Sequence, residues 1–538
     1  MHAQLEDILF TLEAVGATTG PGAWNGEDAR QVLEALIGFA AERLSPLDGP
    51  GDRQGCRIED GRVRLPEGFK DAYKTYVDLG WHLLSLPEAH GGAGAPEAIG
   101  CAASELLTAG NHAFQMLVAL VPGAATVIER FASANDRAGF LPDLIDGRAL
   151  ATMCLTEAGA GSDLGAIRTR AVPHVNGDWR ISGEKIFISG GDQDLSETIV
   201  HLVLARTGAL EDGWRGLSLF ACPSHRPDGA RNALRVLRIE DKLGLHASPT
   251  CQLRFEDAEA RLISNPGEGL KVMFVMMDHA RLDVAAQGVA HAARAHALAS
   301  AYAGERKQGG LAIEMHGDVR RMLEEMDALA LGSRAMVLRS AVHLENGPLA
   351  AFLVPVCKVF ATEAATHVAD LGIQVLGGYG YLREYELERI WRDARVTRLY
   401  EGTNGILSMT LLTRLVGGRD KAPLAAFLAE IDAALALPVP AEAKAPVSEL
   451  QRRWQEVQSM LSAMPDAGMA ASAFMRLTGL LFFSACWLRL ESAAEGSAID
   501  GRIARLARFV RAGLLPEADA LAARCRALAA IQGDMADD

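Results

Sequence analysis

The spacing of apolar residues changes period twice along this chain. Val32, Leu33, Leu36, Ile37, Phe39 and Ala40 recur at three- and four-residue intervals, the mark of helices that bury one face. Cys251-Gln252-Leu253-Arg254-Phe255-Glu256 instead alternates strictly between apolar and polar, as a half-buried strand does. Thr198 to Arg206 and Gly216 to Cys222 read as further strands, separated by glycine and charged turns. After Pro266-Gly267-Glu268-Gly269 the helical period returns and persists. Helix, then strands, then helix predicts a multi-domain α+β protein. It has an N-terminal helical domain, a small middle β-barrel domain, a C-terminal helical bundle and a short extra C-terminal helical domain.

A chain of 538 residues is too long for one core. The domain boundaries fall at 1–150 (helical), 151–264 (β) and 265–435 (helical bundle). Pro438-Val439-Pro440 through Pro446 marks a linker over 436–446, followed by an accessory helical block at 447–538 rich in Ala, Leu and Arg. Pro87 to Pro96 is a turn-rich loop within the first domain.

The formal net charge of −15 argues against a nucleic-acid surface, which needs clustered positive charge. Met1-His2-Ala3-Gln4-Leu5-Glu6-Asp7 has no basic stretch of the secretory kind. Leu480 to Leu488, the most apolar run, is roughly half a membrane span and reads as a buried helix, so no membrane insertion is expected. Eight cysteines without a C-x-x-C pair suit reduced thiols and a cytoplasmic location; neither a disulfide framework nor a metal site is expected.

Chemistry concentrates at Tyr400-Glu401-Gly402-Thr403, about twenty residues after Gln374-Val375-Leu376-Gly377-Gly378-Tyr379-Gly380-Tyr381. A glutamate held against apolar surroundings loses hydration, its anion is disfavoured, and it becomes a base near neutrality. Upstream, Gly159-Ala160-Gly161-Ser162-Asp163-Leu164-Gly165 approaches a dinucleotide fingerprint, but its third glycine is one residue late and strand follows, so a Rossmann site is rejected.

With Met153 to Asp163, Lys185-Ile186-Phe187-Ile188-Ser189 and Glu305-Arg306-Lys307-Gln308, these segments make five ordered motifs. From about Gly80 to about Thr413 the chain resembles the acyl-CoA dehydrogenase family, flavoproteins that desaturate acyl-CoA thioesters. Gly51 to Arg57, Glu240 to His246 and Met276 to Leu282 resemble its 3-methylmercaptopropionyl-CoA dehydrogenase branch.

The resemblance implies FAD as cofactor and Glu401 as the base that takes the α-proton while the β-hydride goes to flavin N5. The thioester oxygen would accept from the Glu401 backbone N–H and a ribityl hydroxyl. Leu155, Thr156, Phe187 and Ser189 would meet the flavin ring, with Phe187 standing where the family often has Trp and Ala158 where it often has Pro. Arg306, Gln308, Gln374, Gly377 and Gly378 would reach the FAD of a neighbouring subunit, and Thr403 the adenine side of the cofactor. An arginine can grip pyrophosphate bidentately where a lysine cannot, and glycines let backbone approach a phosphate. Ser162, Asp278, Arg281, Tyr400 and Gly402 would contact substrate. Ala280 occupies the place where some relatives keep their glutamate, which leaves Glu401 as the base.

The implied product is the trans-2-enoyl-CoA, within fatty-acid β-oxidation, with electrons passed to electron-transfer flavoprotein by a homo-oligomer, dimer or tetramer. Two alternatives stand beside it: an acyl-CoA oxidase using oxygen, and a non-enzymatic or DNA-associated flavoprotein like the alkylation-response relatives. Phe114, on the helix near Asn111 to Met116, is a candidate floor for the acyl pocket. His246 and His279 read as hydrogen-bonded scaffold.

Overall fold

The computed structural model of the protein describes residues 2–19 and 24–537. They pack into two compact units. A β unit comprises Leu36–Ala95 and Gly110–Ala280; a helical unit comprises Met1–Ala35, Pro96–Ala109 and Arg281–Asp538.

In the β unit a short hairpin, β1 (Arg57–Glu59) and β2 (Arg62–Arg64), precedes seven strands: β3 (Ala149–Cys154), β4 (Arg170–Pro173), β5 (Trp179–Ser189), β6 (Thr198–Arg206), β7 (Leu217–Pro223), β8 (Leu234–Ile239) and β9 (Thr250–Leu262). Their order is β3-β6-β4-β5-β9-β7, with β8 on β9, and the β6–β7 pairing closes the ring. Strand β6, paired with parallel β3 and antiparallel β7, is buried at eight successive positions; a strand covered on both faces reads as a near-continuous apolar run. Strand β9 keeps the alternation seen in its sequence over Cys251 to Phe255. Val203, Phe220, Leu253 and Phe255 fill the interior with Ile181, each worth about 1.5–3 kcal/mol when removed from water. The hairpin was not anticipated in a stretch read as wholly helical. Its side chains explain it: buried Asp192 accepts from the Val63 backbone N–H at 2.9 Å and pairs with Arg62 at 2.9 Å and Arg231 at 3.1 Å.

The helical unit is built on Gly317–Val342, Gly347–Leu376, Ala422–Leu435, Ala441–Ser462 and Ala471–Ala494. The segment read as a linker over 436–446 is shorter, since helix resumes at Ala441 with Pro446 inside it. The accessory helices share a core with the bundle. Phe352 stacks on Phe427 with centroids 4.2 Å apart, Phe427 meets Trp454 at 5.5 Å, and Trp454 stacks on Phe474 at 5.5 Å. Buried Glu430 draws in Arg339 at 2.8 Å and Arg489 at 2.7 Å. Gly347–Tyr381 and Gly468–Ala494 are long and apolar enough to cross a membrane, but 89% and 83% of their apolar windows lie buried.

Candidate active site

In the helical unit, helix Leu387–Val396 ends and the chain turns back into helix Asn404–Thr410. Between them Glu401 (φ 55°) and Gly402 (φ 93°) are both left-handed. Non-glycine residues rarely hold that conformation, and it concentrates at functional sites where surrounding contacts enforce it. Those contacts are specific. Arg281 Nε donates to the Glu401 carbonyl at 3.1 Å. Lys358 Nζ donates to the Gly402 carbonyl and to Asn404 Oδ1, each at 3.0 Å. Thr403 caps the following helix by accepting from the Ile406 N–H at 3.2 Å.

Burial pushes the Glu401 carboxyl up to about 7; Arg281 and Lys358 pull it down and Asp283 adds to the rise. The residue itself is half-buried, so a crowded carboxyl coexists with an open face. Tyr400 beside it donates its phenol to Gln287, whose amide donates to Asp283 at 2.9 Å. The turn therefore presents a carboxyl that exchanges a proton near neutral pH.

In the β unit, Thr156 and its neighbours lie just after β3. Fully buried Lys185 bonds the Leu155 carbonyl at 2.8 Å and Glu157 at 2.9 Å. Glu157 in turn accepts from the Arg168 and Thr169 backbone N–H groups at 2.8 and 3.0 Å. The Thr156 carbonyl accepts from the Ile186 N–H at 2.9 Å, which sets Leu155 and Thr156 beside the Phe187–Ser189 end of β5. There the register with β9 slips between Lys185 and Ile188. The irregularity swings Phe187 to φ 59° and leaves it 61% exposed. An exposed phenyl on strained backbone is costly without a flat partner, and a flavin ring fits it. Ser189 is half-buried, and Ser162 is exposed on the glycine-rich loop.

Arg306 and Gln308 follow helix Gly269–Glu305 rather than end it, in a hairpin of Lys307–Gln308 with Leu311–Ala312. Both are exposed, and the Arg306 guanidinium lies 5.7 Å from the Tyr379 ring centre. That contact brings it beside exposed Gln374, Gly377 and Gly378. A Cβ built on Gly377 or Gly378 meets no atom within 4 Å, so backbone there faces open space, as a phosphate or ribose cradle requires.

Asp278 and Arg281 share helix Gly269–Glu305, but the unit boundary falls after Ala280. Phe114 is fully buried in an aromatic cluster with Phe69 and Tyr76, at 6.3 and 5.7 Å. His246 faces Asp52 at 2.9 Å and the Lys242 carbonyl at 2.8 Å, a scaffold arrangement that joins the 51–57 and 240–246 motifs. Among the described residues no group of three or more His, Cys, Asp or Glu could hold a metal. Lys358 escaped the sequence reading, and Lys185 and Glu157 enter it only as members of motifs, without a role. The available signal was a charge amid apolar neighbours, as in Phe352-Leu353-Val354-Pro355-Val356-Cys357-Lys358-Val359-Phe360.

Profiles of the acyl-CoA dehydrogenase N-terminal, middle and C-terminal domains match residues 26–148, 152–258 and 267–416. The chain belongs to the acyl-CoA dehydrogenase family. As an acyl-CoA dehydrogenase it is an FAD-dependent oxidoreductase. It is 41% identical to the 3-methylmercaptopropionyl-CoA dehydrogenase of Ruegeria pomeroyi over 469 residues, 81% of this chain and 80% of that one. A chain from a structure described as an electron transferring flavoprotein of Acidaminococcus fermentans matches with a TM-score of 0.65 and 29% identity, covering 73% of this chain and 98% of that one. An acyl-CoA dehydrogenase from Bacillus anthracis complexed with FAD shares the fold over 95% of this chain and 90% of its own, with a TM-score of 0.79 and 20% identity. That match spans the accessory helices of the dehydrogenase as well as the three profiled domains.

Proposed function

We propose that Glu401 is the base that removes the α-proton of an acyl-CoA thioester on the way to the trans-2-enoyl-CoA. FAD, when bound, supplies the acceptor for the β-hydride. The observation that carries this reading is a carboxyl raised by burial to about 7 on an enforced left-handed turn. A thioester α-proton is too weakly acidic for an ordinary carboxylate unless the developing enolate is stabilised by fixed donors. The Glu401 backbone N–H is the protein's donor for that oxygen. Arg281 fixes the carbonyl side of the same residue, and a fixed dipole costs no reorganisation as charge develops. Ser162, Asp278, Arg281, Tyr400 and Gly402 are the residues assigned to substrate.

Leu155, Thr156, Phe187, Ser189 and Thr403 would hold the cofactor within a subunit. Arg306, Gln308, Gln374, Gly377 and Gly378 would reach the FAD of a neighbour in a dimer or tetramer. Their exposure suits residues that act across a subunit boundary. A place in β-oxidation and an electron-transfer flavoprotein acceptor follow the family reading, the latter also supported by the flavoprotein chain matched above. A short thioether-bearing acyl-CoA is the first candidate substrate, on the strength of the 41% relative. Eight free cysteines, seven of them buried, suit a reducing cytoplasm.

The test is anaerobic flavin absorbance of the FAD-loaded protein during titration with 3-methylmercaptopropionyl-CoA and with straight short, medium and long acyl-CoAs. Bleaching by one class, reversed by electron-transfer flavoprotein faster than by air, supports the dehydrogenase. Fast reversal by oxygen alone points to the oxidase. No bleaching by any thioester at full FAD occupancy overturns the reading.

A further inference from the structure

The catalytic turn is gripped from behind by one face of helix Gly347–Leu376. Lys358 is fully buried midway along it and reaches Gly402 O and Asn404 Oδ1, each at 3.0 Å. One turn further on, Thr362 Oγ1 accepts from Asn404 Nδ2 at 3.2 Å, and Glu363 Oε1 does so at 3.4 Å. Both flanks of Glu401's C-terminal side are thus tied to a single rigid element. A merely structural clamp could have used a neutral donor, since both acceptors are uncharged. An ammonium buried among apolar neighbours is expensive unless a negative charge offsets it.

We propose that Lys358 is a positioning residue for the reaction: it clamps Gly402 and Asn404, and its charge keeps the neighbouring Glu401 available as an anion. The inference rests on the reading of Glu401 as the base. The charged groups around Glu401 are Arg281, Lys358 and Asp283; those around Lys358 are Glu401, Arg281, Glu363 and Arg398. Burial pulls Lys358 down to about 7, with Glu401 opposing the fall. The two groups therefore exchange protons in the same pH range, and each charge favours the other.

The experiment measures the rate of substrate-induced flavin bleaching against pH in wild type, Lys358→Met, Lys358→Gln and Glu401→Gln, with FAD content and melting temperature recorded at each pH. The wild-type rate rises through a limb near 7. In Lys358→Met that limb moves upward by on the order of one pH unit, because a favourable charge is lost. Lys358→Gln, which keeps an N–H donor for the turn but not the charge, moves the limb the same way. The pH at which the melting difference between Glu401→Gln and wild type levels off shifts upward when the same comparison is made in the Lys358→Met background. Rates lowered equally at all pH values with the limb unmoved would overturn the inference and leave Lys358 as packing. Should Lys358→Met fail to fold, the limb position in Lys358→Gln decides. Bleaching undiminished in Glu401→Gln would instead sink the underlying reading of the base.

Discussion

Arg281 and Glu401 are 120 residues apart, yet the arginine's Nε donates to the glutamate's backbone carbonyl at 3.1 Å. With Lys358 on the next carbonyl, two helices hold two successive peptide groups of one turn. Such a grip fixes where the carboxyl points, and a displacement of about 1 Å at a reacting group costs roughly 100-fold. Arg281→Met is expected to lower the flavin-reduction rate by about 10- to 100-fold with FAD content unchanged. Stopped-flow absorbance under anaerobic conditions measures it.

Glu401 should also limit stability. Its ordinary value is 4.5 and its folded value about 7. Below pH 4.5 it is protonated folded and unfolded, and burial costs nothing. Between these values the unfolded chain ionises it more readily, so stability falls as pH rises; above 7 the full cost remains. Glu401→Gln does not titrate. Its melting temperature relative to wild type should therefore climb between pH 4.5 and 7 and then level off. A difference that is flat across this window would contradict the assigned environment.

Phe187 presents a separable case. The left-handed backbone costs about 1–2 kcal/mol for a side chain with a Cβ, and the ring is largely exposed. Phe187→Gly should leave the melting temperature of the FAD-free protein unchanged or higher, while FAD affinity falls about tenfold with the lost ring contact. Equilibrium titration of the stripped protein with FAD, beside thermal melts, separates the two effects.

Much of this was written in the sequence where periodicity or glycine punctuated it. Strand β6 coincides with Thr198 to Arg206 as read from the sequence, because a strand buried along its length reads as a largely apolar run, here interrupted only by His201 before Arg206. The Glu401 turn was legible from its motif. Its left-handed backbone was not, since nothing local favours φ above zero at a glutamate and the enforcing groups come from distant helices. The roles of Lys358 and Lys185 were not legible for the same reason: their acceptors lie 44 and 30 residues away. The hairpin at Arg57–Arg64 was invisible because Asp192, far along the chain, satisfies it. The shortened linker reflects Pro446 lying inside the helix that begins at Ala441, where a proline ordinarily signals a break.

The accessory helices should not behave as a detachable module. Trp454 is fully buried, and its indole donates to Thr478 at 2.8 Å while its ring meets Phe427. Trp454→Ala should cost about 3–5 kcal/mol, measured by urea unfolding. A chain ending after Pro440 also loses Arg489, one of two arginines on buried Glu430. It is expected to be insoluble or to melt well below the full chain, and a stable, fully active truncation would contradict the shared core.

The central claim is that Glu401 takes the α-proton, and one comparison tests it most directly. Wild type and Glu401→Gln, each loaded with FAD, are mixed anaerobically with the acyl-CoA that bleaches wild type best, and the flavin absorbance is followed at pH 8. The account predicts rapid bleaching in wild type and a rate about 100- to 10,000-fold lower in the variant, with the same FAD content and thioester binding. Bleaching in Glu401→Gln within a few-fold of wild type would contradict it.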